Sequence, residues 1–388
     1  MKVRLSPRHL AVLLYLFSML PFILPFPGVG SDLQPYATLV AVCILLFSIR
    51  KSIEVVNRNL LYGAVFLTAL ISFAVLCLGQ ISIGAIRGFF NHASIFLVPL
   101  AFFLVTHRFG YQEKVIKIFI WVTFAIAAVQ FVADRSFLSF LVSNPRFSSA
   151  GGRGVIGLSS EPSFFGVSCF YFLFLAYKFE KRPVFYMIFI SVMAVLFAQS
   201  SLGVIFVLGF WLFYIVDTIR TRKGVLVLLL VLGGFALALT LIEKYGAETR
   251  LYRIFQLFKD GGVEGVVDSD VSAGVRMNSI VNALKEFSAN LFLPAGYQTR
   301  IGSGYGGLLC ELGLFAFLEI FVISYGVSLT FKTKFAKLLC FVLFTFFMFQ
   351  NVQIGNPQIL MIVGINLAQK RAPQKEGTPV KREEVCLA

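Results

Sequence analysis

Charge is scarce in this chain: Asp, Glu, Lys and Arg make up 14% of 388 residues, against about 25% in soluble domains. Histidine is scarcer, with only His9, His92 and His107, so a histidine-rich metal set cannot be assembled. Of six cysteines, Cys43, Cys77, Cys169, Cys310 and Cys340 fall in apolar stretches and Cys386 in the C-terminal tail, which leaves no pair for an external disulfide. No repeat of fixed period is present. What fills the chain instead is apolar: 58% hydrophobic residues, 45 of them Phe, and a mean hydropathy of +0.85. So little polar surface cannot cover a water-exposed globule, and the composition is that of an integral membrane protein.

Apolar segments lie near 9–27, 35–49, 60–79, 90–106, 114–133, 162–178, 183–199, 202–217, 224–242, 305–330, 338–352 and 357–369. Twelve segments without period-2 alternation predict about twelve transmembrane helices in one all-α polytopic domain, 1–369, although several are shorter than the roughly 20 residues an upright span needs. Lys2, Arg4 and Arg8 precede the first, which resembles a signal peptide, but Pro21, Pro25 and Pro27 stand where small cleavage-site residues belong, so it reads as a retained helix. Residues 370–388 form a basic tail expected to be disordered and cytoplasmic.

The net charge of +15 is explained by its placement. With the N-terminus inside, the clusters 2–8, 50–58, 108–117, 178–182, 220–223, 332–337 and 370–382 fall on the cytoplasmic side and carry 23 of the 34 Lys and Arg. That is the positive-inside pattern, with both termini cytoplasmic, and it calls for no nucleic-acid partner.

Two outer loops, 134–161 and 243–304, exceed the usual connection length. In the second, Leu251, Ile254, Phe255 and Phe258 form one helical stripe, and Met277, Ile280, Val281, Leu284 and Phe287 another. Both predict amphipathic helices resting on the membrane. The outer side also gathers Arg87, Arg146, Arg153, Arg250, Arg253, Arg276 and Arg300. One arginine near a membrane is an ordinary headgroup anchor, but seven point to an anionic ligand gripped through phosphate oxygens.

The stretch "GLSSEPSFFG", 157–166, opens an apolar segment with one carboxylate. Pro162 suits the first helical turn, with Ser160 or Glu161 as N-cap. A carboxylate there is favoured by the helix dipole alone, by about 0.3–1 kcal/mol. Arg153 nearby, and no other carboxylate so well placed at the membrane boundary, tip Glu161 towards a functional role.

Other signals are weaker. His92, five residues after Arg87, could face an outer cavity; Glu311 is deep enough in a span to demand a proton or a partner, such as an outer arginine; Glu319 reads as structural. Asp268 and Asp270 repeat the spacing of a nucleotide-sugar metal pair, but such pairs are common in polar loops. Ser200–Ser201 reads as a tight turn.

The span pattern, the arginine-rich outer loops, "GLSSEPSFFG", and the block from "SAGVRMNSIVNALKEF" to "LPAGYQTRIGSGYGGLLCELGLF" together resemble bacterial O-antigen polymerases of the Wzy type. The motif-level similarity covers mainly 146–166 and 272–315. The resemblance implies a metal-independent C-type glycosyltransferase, without cofactor, in the bacterial inner membrane. It would join undecaprenyl-diphosphate-linked oligosaccharides at the periplasmic face, with donor, acceptor and bilayer as partners and room for a chain-length regulator. It assigns Glu161 as catalytic base, Arg276, Arg153 and Arg87 to diphosphate or glycan, and, by location only, Arg250 and Arg300. The family's Arg-x10-Gly pattern occurs as Arg146 to Gly157, but with 32 glycines an arginine meets it by chance about once in twelve. Related O-antigen ligases carry a histidine in the late loop, and 243–304 has none, which favours a polymerase over a ligase. A flippase for the same lipid-linked glycan is the alternative of another class; it would show broken helices and polar groups at mid-membrane.

Overall fold

The computed structural model describes residues 7–24, 32–50, 58–78, 83–147, 154–219, 233, 240, 250–269, 271–296, 304–349 and 355–371. Within them every regular element is a helix, and the sole extended pairing is an isolated antiparallel bridge between Ile23 and Val142. The helices are α1 (Pro7–Met19), α2 (Tyr36–Arg50), α3 (Arg58–Cys77), α4 (Ile83–Phe109), α5 (Glu113–Val132), α6 (Pro162–Ala176) and α7 (Pro183–Val192). They continue as α8 (Ser201–Thr218), α9 (Arg250–Ser269), α10 (Val271–Ala289), α11 (Tyr305–Leu312), α12 (Ala316–Ser328), α13 (Lys334–Met348) and α14 (Pro357–Arg371). The expected span at 224–242 lies outside the described residues, apart from Gly233 and Thr240, as do the tail beyond Arg371 and Cys386.

Four stretches are long and apolar enough to cross a membrane: Gly88–Phe109, Glu113–Val132, Ser201–Thr218 and Tyr305–Ser328. Five shorter apolar helices accompany them. Their outward faces carry uncovered apolar side chains, among them Phe66, Phe73, Ile118 and Phe317, and so does α13 with Phe335 and Phe346. In water this would be an aggregation surface; against lipid it is the expected lining.

α6 is the centre. Phe165 through Ala176 are all buried, so this helix, apolar on every side, has protein around its whole circumference. It packs on α7 and α8 and touches α14. α6 and α8 approach so closely at Gly166 and Gly203 that a Cβ on Gly166 would lie 2.9 Å from the Gly203 Cα. Small residues permit this contact, which suits helices that associate without a hydrophobic driving force. A second group forms around α4, against which α14, α3 and α2 pack.

The loops sort to two ends. At one, Tyr177 donates to Asp217 (2.5 Å), whose carboxylate also accepts from the backbone amides of Lys332 (3.0 Å) and Thr333 (2.7 Å). Lys178 bonds Gln369 beside it. At the other end, the segment after α1 meets the loop before α6 through Leu24 N–H to Leu141 O (2.8 Å) and Ser143 N–H to Phe22 O (2.8 Å).

Candidate functional site

Glu161 sits at that second end as the N-cap residue of α6, in extended conformation, with Pro162 in the first turn as the sequence predicts. Its backbone carbonyl accepts the first helical bond, from Phe165 N–H (3.1 Å). Its carboxylate makes no capping bond to the helix amides. Instead it accepts from the Ser163 hydroxyl and lies 3.5 Å from Arg146 Nη1, with the side chain 21% exposed. The α6 amides are thus left uncapped by Glu161, while its position at the positive end of the helix dipole is as expected.

Arg146 bridges two acids, since its other terminal nitrogen pairs with Asp32 from the segment before α2. The backbone beneath is tightly fixed. Arg146 N–H donates to Ser160 O (2.7 Å), and the Ser160 hydroxyl to Ser143 O (2.7 Å). The fully buried Gln130 of α5 holds Gly157 by both backbone groups: its Oε1 accepts from Gly157 N–H (2.8 Å) and its Nε2 donates to Gly157 O (2.9 Å). Gly157 has φ +58°, a left-handed turn that any side chain would strain. The "GLSSEP" turn is thus pinned from below while the Glu161 carboxylate stays partly open to solvent.

The arginines assigned alongside Glu161 cannot be placed against it. Arg153 and Arg300 lie outside the described residues; Arg87 on α4, Arg250 on α9 and Arg276 on α10 lie on described backbone, but their side chains are outside the description. Both expected loop helices are present, α9 with a kink at Gly262. α10 turns Ala283 and Phe287 inward and leaves Met277, Val281 and Leu284 exposed, so the expected stripe is divided between protein and surroundings. Asp268 is exposed, and Asp270 lies outside the described residues. Among the described residues no group of three or more His, Cys, Asp or Glu is arranged to hold a metal ion. Ser200 caps α8, its hydroxyl accepting from Gly203 N–H (3.3 Å), so the short turn before α8 is turn chemistry as read from the sequence.

A second constellation departs from expectation. His92 does not face an open cavity: it is 3% exposed and lies between Glu311 and Glu319, themselves 1% and 0% exposed. Nε2 is 3.1 Å from Glu311 Oε2, and Nδ1 is 3.1 Å from both oxygens of Glu319. Glu311 thus has an imidazole partner, and Glu319, read from sequence as structural, is part of an ionisable triad. The helix carrying both acids is broken between α11 and α12 at Gly313 (φ +56°, ψ −135°). A Cβ there would meet the backbone of Phe292, Leu293 and Pro294 at 2.4–2.6 Å, so only glycine lets that segment pass. Pairing of a polar histidine with glutamates inside apolar helices was signalled only by their rarity; Asp32 and Gln130, which shape the Glu161 turn, carried no signal beyond being lone polar residues.

Comparison with family models, curated proteins and solved structures returns no match, so the function of this helical, membrane-type chain rests on the geometry of its own sites.

Proposed function

We propose that the chain is a membrane glycosyltransferase of the polysaccharide-polymerase kind, transferring an undecaprenyl-diphosphate-linked glycan onto the end of another lipid-linked repeat unit at the outer face. Glu161 is the base that takes the proton from the acceptor hydroxyl, and outer arginines stabilise the departing diphosphate without a metal. One observation carries this reading: the Glu161 carboxylate, at the mouth of the central helix, is held toward Arg146 and Ser163 rather than spent on helix capping. It is ionisable, partly solvent-accessible and positioned on a rigid turn, as proton abstraction requires. The meeting of the segment after α1 with the 134–161 loop supports putting both on one side of the membrane.

Purified protein in nanodiscs, given labelled lipid-linked repeat units, tests the proposal. Wild type should lengthen the glycan and Glu161→Gln should not, while remaining folded and inserted. Elongation by Glu161→Gln at the wild-type rate would remove the catalytic role. Transfer to a lipid A-core acceptor rather than to a second repeat unit would identify a ligase.

A transport reading is favoured by a different observation: the helix break at Gly313 with Glu311 and Glu319 on either side and His92 against both. Discontinuous helices with ionisable groups between them are the architecture of transporter sites. Movement of the labelled lipid between leaflets, with no change in glycan length, would establish it.

A further inference from the structure

The His92–Glu311–Glu319 triad has no part in the glycosyl transfer proposed above, and its geometry fixes how many protons it needs. Each ring nitrogen lies 3.1 Å from a carboxylate oxygen. Each contact is attractive only with one hydrogen between its partners, whichever of them formally owns it. Two shared hydrogens close the triad. Removing one leaves a bare nitrogen lone pair against a carboxylate in an apolar interior, where such an opposition is costly.

The two arms are unequal. Nδ1 faces both oxygens of Glu319, whereas Nε2 faces a single oxygen of Glu311. Glu319 lies in the first turn of α12, at the positive end of that helix, while Glu311 is the penultimate residue of α11, at its negative end. The helix termini therefore favour a carboxylate at Glu319 over one at Glu311. With one hydrogen left the imidazole is neutral and both acids are carboxylates; Nδ1 keeps the hydrogen because both Glu319 oxygens can accept it, and Glu311, a carboxylate at the negative helix end against bare Nε2, is the arm that separates.

Glu311 is also tied to the outer loop. Its backbone carbonyl accepts from Gly296 N–H (3.1 Å), and the preceding Cys310 carbonyl accepts from Ala295 N–H (3.3 Å). Leu314 N–H closes the same junction on Phe292 O (3.0 Å). We propose that the triad is a proton-dependent latch on the α11–α12 break: closed with two shared protons, it holds residues 291–296 against the break, and loss of one releases them. The latch stands on this geometry alone; that it thereby sets the arginine-bearing part of the late loop rests on the glycosyltransfer reading.

Other titratable or charged groups on the surrounding helices are Arg87, His107 and Arg108 on α4, Arg58, Tyr62 and Cys77 on α3, Arg276, Lys285 and Glu286 on α10, Tyr305 and Cys310 on α11, Tyr325 on α12, Lys334, Lys337 and Cys340 on α13, and Tyr36, Cys43 and Arg50 on α2. Thiols and phenols ordinarily remain neutral below about pH 8. The Gln358–Asn366 stretch of α14, which packs on both α4 and α12, has no ionisable residue.

Amide hydrogen exchange on the full chain in nanodiscs, followed across pH with the core of α6 as internal standard, tests the latch. In wild type, protection of 291–296 and 305–315 should fall together by at least about tenfold over one rise in pH. In Glu311→Gln the carboxamide can donate to a bare Nε2 as well as accept from Nε2–H, so the step should vanish with the segments still protected. A flat wild-type profile overturns the proposal, and decides alone if the variant does not fold. The same step in Glu311→Gln, or a step in 305–315 that leaves 291–296 unchanged, overturns it as well.

Discussion

Two ionisable sites occupy opposite settings in this molecule. Glu161 stands at a helix mouth, 21% exposed, beside an arginine that it shares with Asp32. Glu311 and Glu319 are sealed inside the bundle around His92. At the mouth, water and substrate can exchange protons with a carboxylate whose surroundings hold it loosely, which suits chemistry. In the interior, each charge depends on its partner, so removing one group leaves another stranded, which suits architecture or switching.

This contrast predicts separable consequences. The largest is expected for Glu161→Gln: removal of a general base should slow transfer by about 10²–10⁴-fold, with thermal unfolding in detergent close to wild type. Loss of stability with retained transfer would invert the comparison. His92→Ala should show the opposite signature, a destabilisation of about 3–5 kcal/mol from breaking a buried pair, read as a lowered denaturation midpoint. An unchanged midpoint would show that the triad is not structurally coupled to the fold.

Smaller effects sharpen the picture. Tyr177→Phe removes the hydroxyl that serves Asp217 at the opposite end of the bundle, and should cost about 1 kcal/mol, as for one hydrogen bond, with no effect on transfer; a transfer defect would couple the two ends. Arg146→Ala should cost less than about 1 kcal/mol in stability, because the arginine is half exposed and its ion pairs are screened. Its signature is kinetic: a raised KM for the lipid-linked substrate, if Arg146 helps orient Glu161. Unaltered kinetics would assign it to the surface.

Much of the fold was legible because membrane insertion writes long apolar runs into a sequence. The expected segment near 162–178 is observed as α6, 114–133 as α5 and 202–217 as α8, each shifted by one or two residues at an end. Pro162 after Glu161 marked the start of α6, since proline lacks only an amide that the first turn leaves unbonded. The 305–330 segment was expected as one helix, yet Gly313 divides it. Its break requires the Phe292–Pro294 backbone to pass at that point, a tertiary contact that no local pattern announces.

The sites were legible as residues, not as partnerships. His92 and Glu319 are 227 residues apart, and Arg146 and Asp32 are 114 apart. In α6 the apolar character is so uniform that no face is distinguished in the sequence. By itself, then, the sequence determined the helical class, the apolar stretches and the charged residues at their ends, because these follow from local propensity and transfer from water. Only the tertiary structure decided that Glu161 meets Arg146 while leaving the α6 amides uncapped, and that His92 joins Glu311 to Glu319. Those pairings depend on the rotation and depth at which separate helices pack, which close contacts such as Gly166 on Gly203 fix once the chain is assembled.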